Sequence, residues 1–109
     1  MKRATSYGST LLLVNSQNRI LWASTGAEDV CGWYSDELIG KPLLFLIPER
    51  DREAHTKAFQ LVVAGDHPTE AFRSTAVAAL GPQGKEFPVN LTLYPFAGAG
   101  LFLGLLETR

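Results

Sequence analysis

The sequence has few cysteines and no long apolar run, and each shortage excludes a class of protein. Cys31 is the single cysteine among 109 residues. No disulfide can therefore form within the chain, and this usage favours a reducing, cytoplasmic location. No apolar run reaches the roughly 18 residues of a membrane-spanning helix, so we expect no membrane span in this segment. Residues 1–3 lead into polar residues, which argues against a secretory signal.

An excess of either charge is also missing. The 10 basic and 11 acidic residues give a net charge of −1, and no basic block occurs. We therefore expect no direct contact with nucleic acid. The 46% of hydrophobic residues suffice for one buried core. We predict a single domain over residues 1–109, with its core at about 9–107 and a flanking segment at 1–8.

Catalytic motifs are lacking as well. The sequence contains no Ser/His/Asp order, no phosphate-binding glycine loop and no Cys/His cluster at metal-ligand spacing. Gly98-Ala99-Gly100 lies in a turn between two strand-like runs, which is not the context of a nucleotide-binding loop. We therefore expect neither an enzyme nor a metal site.

The most informative stretch that is present covers residues 26–48. It combines three short helical signals with three stop signals. Gly32 ends the first helix, Ser35 caps a second that ends at Gly40, and Pro48 ends an apolar third piece. Glycine suits the positive φ at a helix C-terminus.

A longer helix and five strand-like runs surround this stretch. The helix is predicted over Glu49–Ala64. Turn residues separate the runs, which predicts antiparallel hairpins. The runs are Thr10–Asn15 and Arg19–Ala23 before the stretch, and about Ala71–Leu80, Glu86–Phe96 and Leu101–Glu107 after it.

The order and spacing of these motifs resemble those of PAS sensor domains. Gly32-Trp33, Glu37-Leu38 and Gly40 match the family pattern G-[YFW]-x-x-x-E-L-x-G, and Gly84-Lys85-Glu86-Phe87-Pro88-Val89 resembles its hairpin entry. The resemblance implies an α+β PAS fold, with a five-stranded antiparallel sheet and short helices plus one longer helix on one face.

The same resemblance implies a function. PAS domains of this kind sense or relay signals inside larger bacterial regulators, such as histidine kinases, cyclic-dinucleotide enzymes or transcription factors. The expected partners are a small ligand in an internal pocket and an output domain in the same chain. The alternative is a ligand-free dimerisation module, which holds two chains in register.

We predict the pocket between the long helix and the inner face of the sheet. Alternation places Phe87, Val89, Leu91 and Leu93 on that face. Small residues around Ala76 and Ala78 leave room for a cavity, with close helix–sheet packing as the alternative explanation. The predicted lining residues are Trp33, Phe45, His55, Phe59, Val62, Phe72 and Leu91.

His55 is the candidate for a heme ligand. Its context, with Pro48 and Arg52 before it, resembles that of the proximal histidine in heme-binding PAS domains. Those domains also carry an arginine on the next strand, where Ser74 stands here. We therefore predict that His55 does not bind heme and is instead a core or boundary histidine with a satisfied ring nitrogen.

Cys31 is the candidate for flavin chemistry. Flavin-binding photosensors of the family carry their reactive cysteine on the third short helix, and Cys31 lies before it. We therefore predict that Cys31 is a small buried apolar residue. A non-covalent flavin lined by Trp22 and Trp33 stays open. The cofactor is thus unknown: no cofactor is favoured, and heme or flavin are the alternatives.

The last strand-like run, Leu101–Leu106, is apolar on both faces. A half-exposed antiparallel sheet alternates apolar and polar residues, so a partner is expected to cover the outer face. We predict a homodimer through that face, centred on Tyr94, Phe102 and Leu106.

Overall fold

The structure is a computed structural model, which describes residues 8–64, 75–96 and 100–109. The strands are β1 (Ser9–Asn15), β2 (Ile20–Ala23), β3 (Thr75–Leu80), β4 (Glu86–Phe96) and β5 (Leu101–Thr108). They form one antiparallel sheet in the order β2-β1-β5-β4-β3. The predicted α+β fold with a five-stranded antiparallel sheet is confirmed. Residues 71–74 of the third predicted strand lie outside the described residues.

Two short helices follow the first hairpin. The first, α1 (Ala27–Cys31), ends at Gly32 with φ of 85°. The second, α2 (Ser35–Leu38), is followed by Gly40 with φ of 90°. Both glycines occupy the left-handed region, as their position after a helix predicts, because a side chain there would be strained.

The cap of α2 differs from the prediction. The capping residue is Tyr34, whose backbone N–H donates to Oε1 of Glu37 at 2.8 Å. Ser35 is already helical, and its hydroxyl donates to the backbone carbonyl of Ser24. The hydroxyl therefore ties α2 to the end of β2 instead of capping the helix.

Leu43–Leu46 forms a separate 3-10 turn before the long helix. The predicted long helix itself is built from two pieces, and the first is a 3-10 turn at Glu49–Asp51, directly after Pro48. This turn continues as α3 (Arg52–Ala64), which buries Phe59 and Val62. The helix begins with a tighter turn than expected, and its described part reaches Ala64, the last residue of the prediction.

One core lies between the helices and the inner face of the sheet. Val89, Leu91 and Leu93 of β4 are buried in it, as alternation predicts, and Phe87 packs against it. The faces of β3 could not be assigned from its small residues. Its register pairs Val77 with Val89, which places Val77 on the inner face.

The assignment of Phe102 and Leu106 to the outer face is wrong. Leu106 pairs with Leu91 across β4 and β5, and directly paired residues share one face of a sheet. Phe102 is 6% exposed and packs edge-on against Phe59, with the ring centroids 5.3 Å apart. Both residues therefore belong to the core. A strand that is apolar on both faces gives no alternation from which this could be read.

The outer face of the sheet carries its own apolar row. Trp22 pairs with Leu13, Leu13 with Leu103, and Leu103 with Tyr94. The row thus crosses four adjacent strands. Trp22 is 47% exposed and Tyr94 46% exposed, so both aromatic ends of the row contact solvent.

Candidate functional site

A cavity of about 320 Å³ lies between α3 and the inner face of β3 and β4. This volume falls at the small end of the range for ligand pockets. The described lining residues are Ile47, Asp51, Ala54, His55, Ala58, Phe59, Val62, Thr75, Val77, Ala78, Leu91 and Leu93. The lining is therefore mostly apolar, with few polar groups.

The structure brings together four of the residues predicted for the pocket: His55, Phe59, Val62 and Leu91. Trp33 and Phe45 do not line this cavity. Their rings pack on each other with centroids 4.8 Å apart, and Nε1 of Trp33 donates to the backbone carbonyl of Leu80 at 3.0 Å. These contacts join the short helices to the end of β3. Phe72 lies outside the described residues.

Several lining residues were missed by sequence reasoning. Two of them, Asp51 and Ala58, stand four and three positions from His55, which is the spacing of one helical face. Extending that face backwards from His55 would have found Asp51. Of the two small strand residues expected to leave room, Ala78 lines the cavity, whereas Ala76 is not in the lining.

His55 carries the most informative atom of the cavity. Its Nε2 is buried and has no hydrogen-bond partner among the described residues, so the predicted satisfied ring nitrogen would have to be Nδ1. The ring stacks on Phe59, with centroids 6.5 Å apart and planes 14° apart. Burial lowers the pKa of His55 below its ordinary value of 6.5. A neutral imidazole nitrogen is therefore buried without a partner in the described part of the chain, which costs free energy.

A two-point ion pair holds the start of α3 against the sheet. Nη1 and Nη2 of Arg50 donate to the two carboxylate oxygens of Glu86, at 2.8 and 2.7 Å. These hydrogen bonds lower the pKa of Glu86 and raise that of Arg50. Because Arg50 precedes α3 and Glu86 begins β4, the pair joins the two walls of the cavity at one end.

Comparisons with known proteins agree on the fold. The model of the PAS fold family matches residues 6–107. The chain belongs to the PAS family. No curated protein was similar enough to count as a relative.

Solved structures that resemble this PAS domain include domains of sensory proteins. The PAS domain of a protein from Colwellia psychrerythraea is 18% identical, with a TM-score of 0.77 over 93% of this chain and 86% of that chain. A domain of a sensory box sensor histidine kinase/response regulator from Geobacter sulfurreducens is 14% identical, with a TM-score of 0.71 over 90% of this chain and 81% of that one.

A bacteriophytochrome from R. palustris is 20% identical, with a TM-score of 0.71. The match covers 93% of this PAS domain but only 19% of the bacteriophytochrome chain. At these identities the similarity establishes the fold. PAS domains are in general sensory modules rather than catalytic ones.

The candidates for flavin chemistry lie away from the cavity of the PAS domain. Cys31 is fully buried, as predicted, and its thiol donates to the carbonyl of Ala27 at 3.4 Å. Burial raises the pKa of Cys31, which makes the thiol unreactive. Trp22 lies on the outer face of the sheet. Neither residue is placed to contact a flavin in the cavity.

A heme in this cavity would need an axial ligand for its iron. The unpaired Nε2 of His55 would suit an axial ligand, since iron binds the neutral imidazole. Heme propionates, however, need cationic partners, and the described part of the lining contributes the Asp51 carboxylate and neither arginine nor lysine. The residues therefore fit heme poorly. Among the described residues no group of three or more His, Cys, Asp or Glu side chains could hold a metal ion.

None of the described helices is long and apolar enough to cross a membrane.

Proposed function

We propose that this PAS domain is a ligand-binding sensor or relay domain within a larger bacterial regulator, such as a histidine kinase, a cyclic-dinucleotide enzyme or a transcription factor. The observation that carries the proposal is the cavity between α3 and the sheet, whose lining includes His55 with its buried Nε2 unpaired among the described residues. Ligand pockets are mostly apolar, with a few polar groups that orient the ligand. A ligand that bonds to Nε2 would remove the cost of the unpaired nitrogen.

A route for the signal leads from the cavity to the C-terminal end of β5. Val77 lines the cavity, and its carbonyl accepts a hydrogen bond from Nη2 of Arg109 at 2.7 Å. Nε of Arg109 also donates to the carbonyl of Val89 at 2.9 Å. A ligand that shifts β3 would disturb these bonds and so change the position of any output domain attached after β5.

The names of the similar structures support the proposed setting. One is a domain of a sensor histidine kinase, and another is a phytochrome. We propose by analogy that this domain acts in the cytoplasm and regulates an output domain in the same chain without catalysing a reaction itself.

Thermal denaturation with a library of small metabolites tests the ligand-binding proposal. A ligand should raise the midpoint of unfolding. Ala58→Leu, which fills part of the cavity, should abolish that rise. The control is Ile39→Leu, at the solvent-exposed residue that follows α2. If no compound acts, or if Ala58→Leu leaves every effect intact, the cavity is not a ligand site.

An absorption spectrum of the purified protein tests the cofactor. We propose a colourless domain, in which His55 binds no heme. Reconstitution with hemin is expected to give no Soret band that depends on His55. A band that His55→Ala abolishes would contradict this, and bound flavin would show its own spectrum.

A homodimer through the outer face of the sheet is the second candidate function. The row of Trp22, Leu13, Leu103 and Tyr94 favours it, because exposed aromatic residues over a continuous apolar surface are typical of interface centres. Two copies of this row could pair about a two-fold axis. The proposed interface is therefore centred on this row, which includes Tyr94. Phe102 and Leu106 are not part of it, because they lie in the core.

Analytical ultracentrifugation at micromolar concentration tests the homodimer. The unmodified domain should sediment as a species of twice the chain mass, and Tyr94→Glu should give monomers. Ile39→Glu is the matched control, since Ile39 is similarly exposed, at 48%, but lies directly after α2 and not on the sheet. Monomers in the unmodified protein, or a dimer that survives Tyr94→Glu, would contradict the proposal.

A further inference from the structure

Two polar side chains of the cavity stand one helical turn apart. Asp51 ends the 3-10 turn before α3, and Arg52 continues it with helical φ and ψ of −65° and −39°. Residues four apart on a helix have Cβ atoms about 5–6 Å from each other. The Asp51 carboxylate and the His55 imidazole therefore share one wall of the cavity.

The hydrogen-bonding capacity of these two groups is largely unused. The Asp51 side chain is 48% exposed and its Oδ2 lies 3.8 Å from Nε of Arg50, whose two terminal nitrogens already bind Glu86. A carboxylate only accepts hydrogen bonds, and a neutral imidazole offers one accepting nitrogen. Desolvation favours the neutral form of His55. The polar wall of the cavity thus calls for a ligand that donates hydrogen bonds.

The rest of the cavity sets the other half of the ligand. Phe59, Val62, Leu91 and Leu93 present hydrocarbon surface, which favours an apolar body. We propose that the cavity binds a small organic amine, with its ammonium group between Asp51 and His55 and its hydrocarbon part against these side chains. An organic acid of the same size would be repelled by Asp51. This inference rests on the proposed ligand-binding function.

Three probes that differ only in the head group test the inference. We would titrate n-hexylamine, 1-hexanol and hexanoate into the unmodified domain at neutral pH and follow thermal unfolding and isothermal calorimetry. Hexylamine should bind more tightly than hexanol by roughly tenfold, because hydrogen bonds to charged groups are stronger than neutral ones. Hexanoate should bind most weakly.

Two variants then locate the ammonium group. Asp51→Asn keeps the size of the side chain but removes its charge, and should weaken hexylamine by roughly tenfold while leaving hexanol unchanged. Glu53→Gln is the matched control, because Glu53 is a solvent-exposed carboxylate on the same helix and does not line the cavity. It should change neither affinity.

The outcomes separate this inference from the proposed function. If hexanol or hexanoate binds as tightly as hexylamine, the proposed preference for an amine is overturned, while the cavity remains a ligand site. Equal effects of Asp51→Asn and Glu53→Gln would also overturn it, since a general charge effect would then explain the preference. If none of the three probes binds and the metabolite library also fails, both proposals fall. Should Asp51→Asn not fold, the head-group series in the unmodified domain decides alone.

Discussion

The two ends of the inner layer are packed differently. At the end with α1 and α2, the side chains of Ile20, Val30 and Leu38 are completely buried, and none of them lines the cavity. Under α3, Val77 and Ala78 of β3 are too small to fill the space, and the cavity results. The close-packed end can supply stability, while the other end keeps room for a ligand. A single core thus has one closely packed region and one region with space for a ligand.

The largest effect is expected from truncation at the close-packed end. Leu38→Ala should lower the free energy of unfolding by about 2–5 kcal/mol, because a fully buried leucine leaves a cavity behind. Val62→Ala, beside the existing cavity, should cost clearly less. Urea denaturation of both variants measures the difference. Equal losses would mean that the two ends do not differ in packing.

The glycines that end α1 and α2 give a matched pair. An added Cβ at Gly32 would lie 2.8 Å from Cδ of Pro82, whereas at Gly40 it would meet nothing within 4 Å. Both glycines have positive φ. Gly32→Ala should therefore cost about 2–4 kcal/mol, from backbone strain and overlap together, and Gly40→Ala about 1–2 kcal/mol from strain alone. Similar losses in thermal denaturation would show that the overlap at Gly32 is relieved.

Enlarged side chains should act in opposite directions at the two ends. Val62→Leu places a further methylene beside the cavity and should stabilise the domain by up to about 1 kcal/mol. Ala27→Val, at the completely buried first residue of α1, should destabilise the domain by about 1–3 kcal/mol. Differential scanning calorimetry compares the two midpoints. A destabilising Val62→Leu would contradict the idea that this space can be filled.

The smallest effect concerns pH and the cavity end alone. The pKa of His55 is lowered by burial, so below its ordinary value of 6.5 the unfolded chain binds more protons than the folded one. The contribution of the neutral His55 to the free energy of unfolding is complete above pH 6.5. It is lost as the pH falls from 6.5 towards the pKa of His55 in the folded state. His55→Phe should flatten this part of the stability curve relative to the unmodified domain. Parallel curves for the two proteins below pH 6.5 would contradict a buried, neutral His55.

Much of the fold could be predicted from local signals. The glycines at positions 32 and 40 ended their helices as predicted, because a positive φ is a property of one residue and its neighbours. The bounds of β4 matched because its alternation is clear. The faces of β5 could not be predicted, since an apolar residue at every position removes the two-residue period on which such an assignment depends.

The candidate site was only half predictable. His55, Phe59 and Val62 lie on the helical stripe that the sequence shows, and the structure places them in the lining. Trp33 and Phe45 were included for their size and aromatic character, but they contact each other instead. Which large side chain meets a cavity depends on how helices cross the sheet, and composition does not contain that information.

The sequence by itself determined the family, the order of the elements, and the presence of apolar surface beyond one face of the sheet. These follow from turn residues, helix stops and periodicity, all of which act over short distances along the chain. Only the tertiary structure decided that Phe102 lies in the core and Leu103 on the outer row, and that Asp51 and His55 share a cavity with β3. Strand register and the position of α3 set these contacts, because both bring together residues that are distant in the chain.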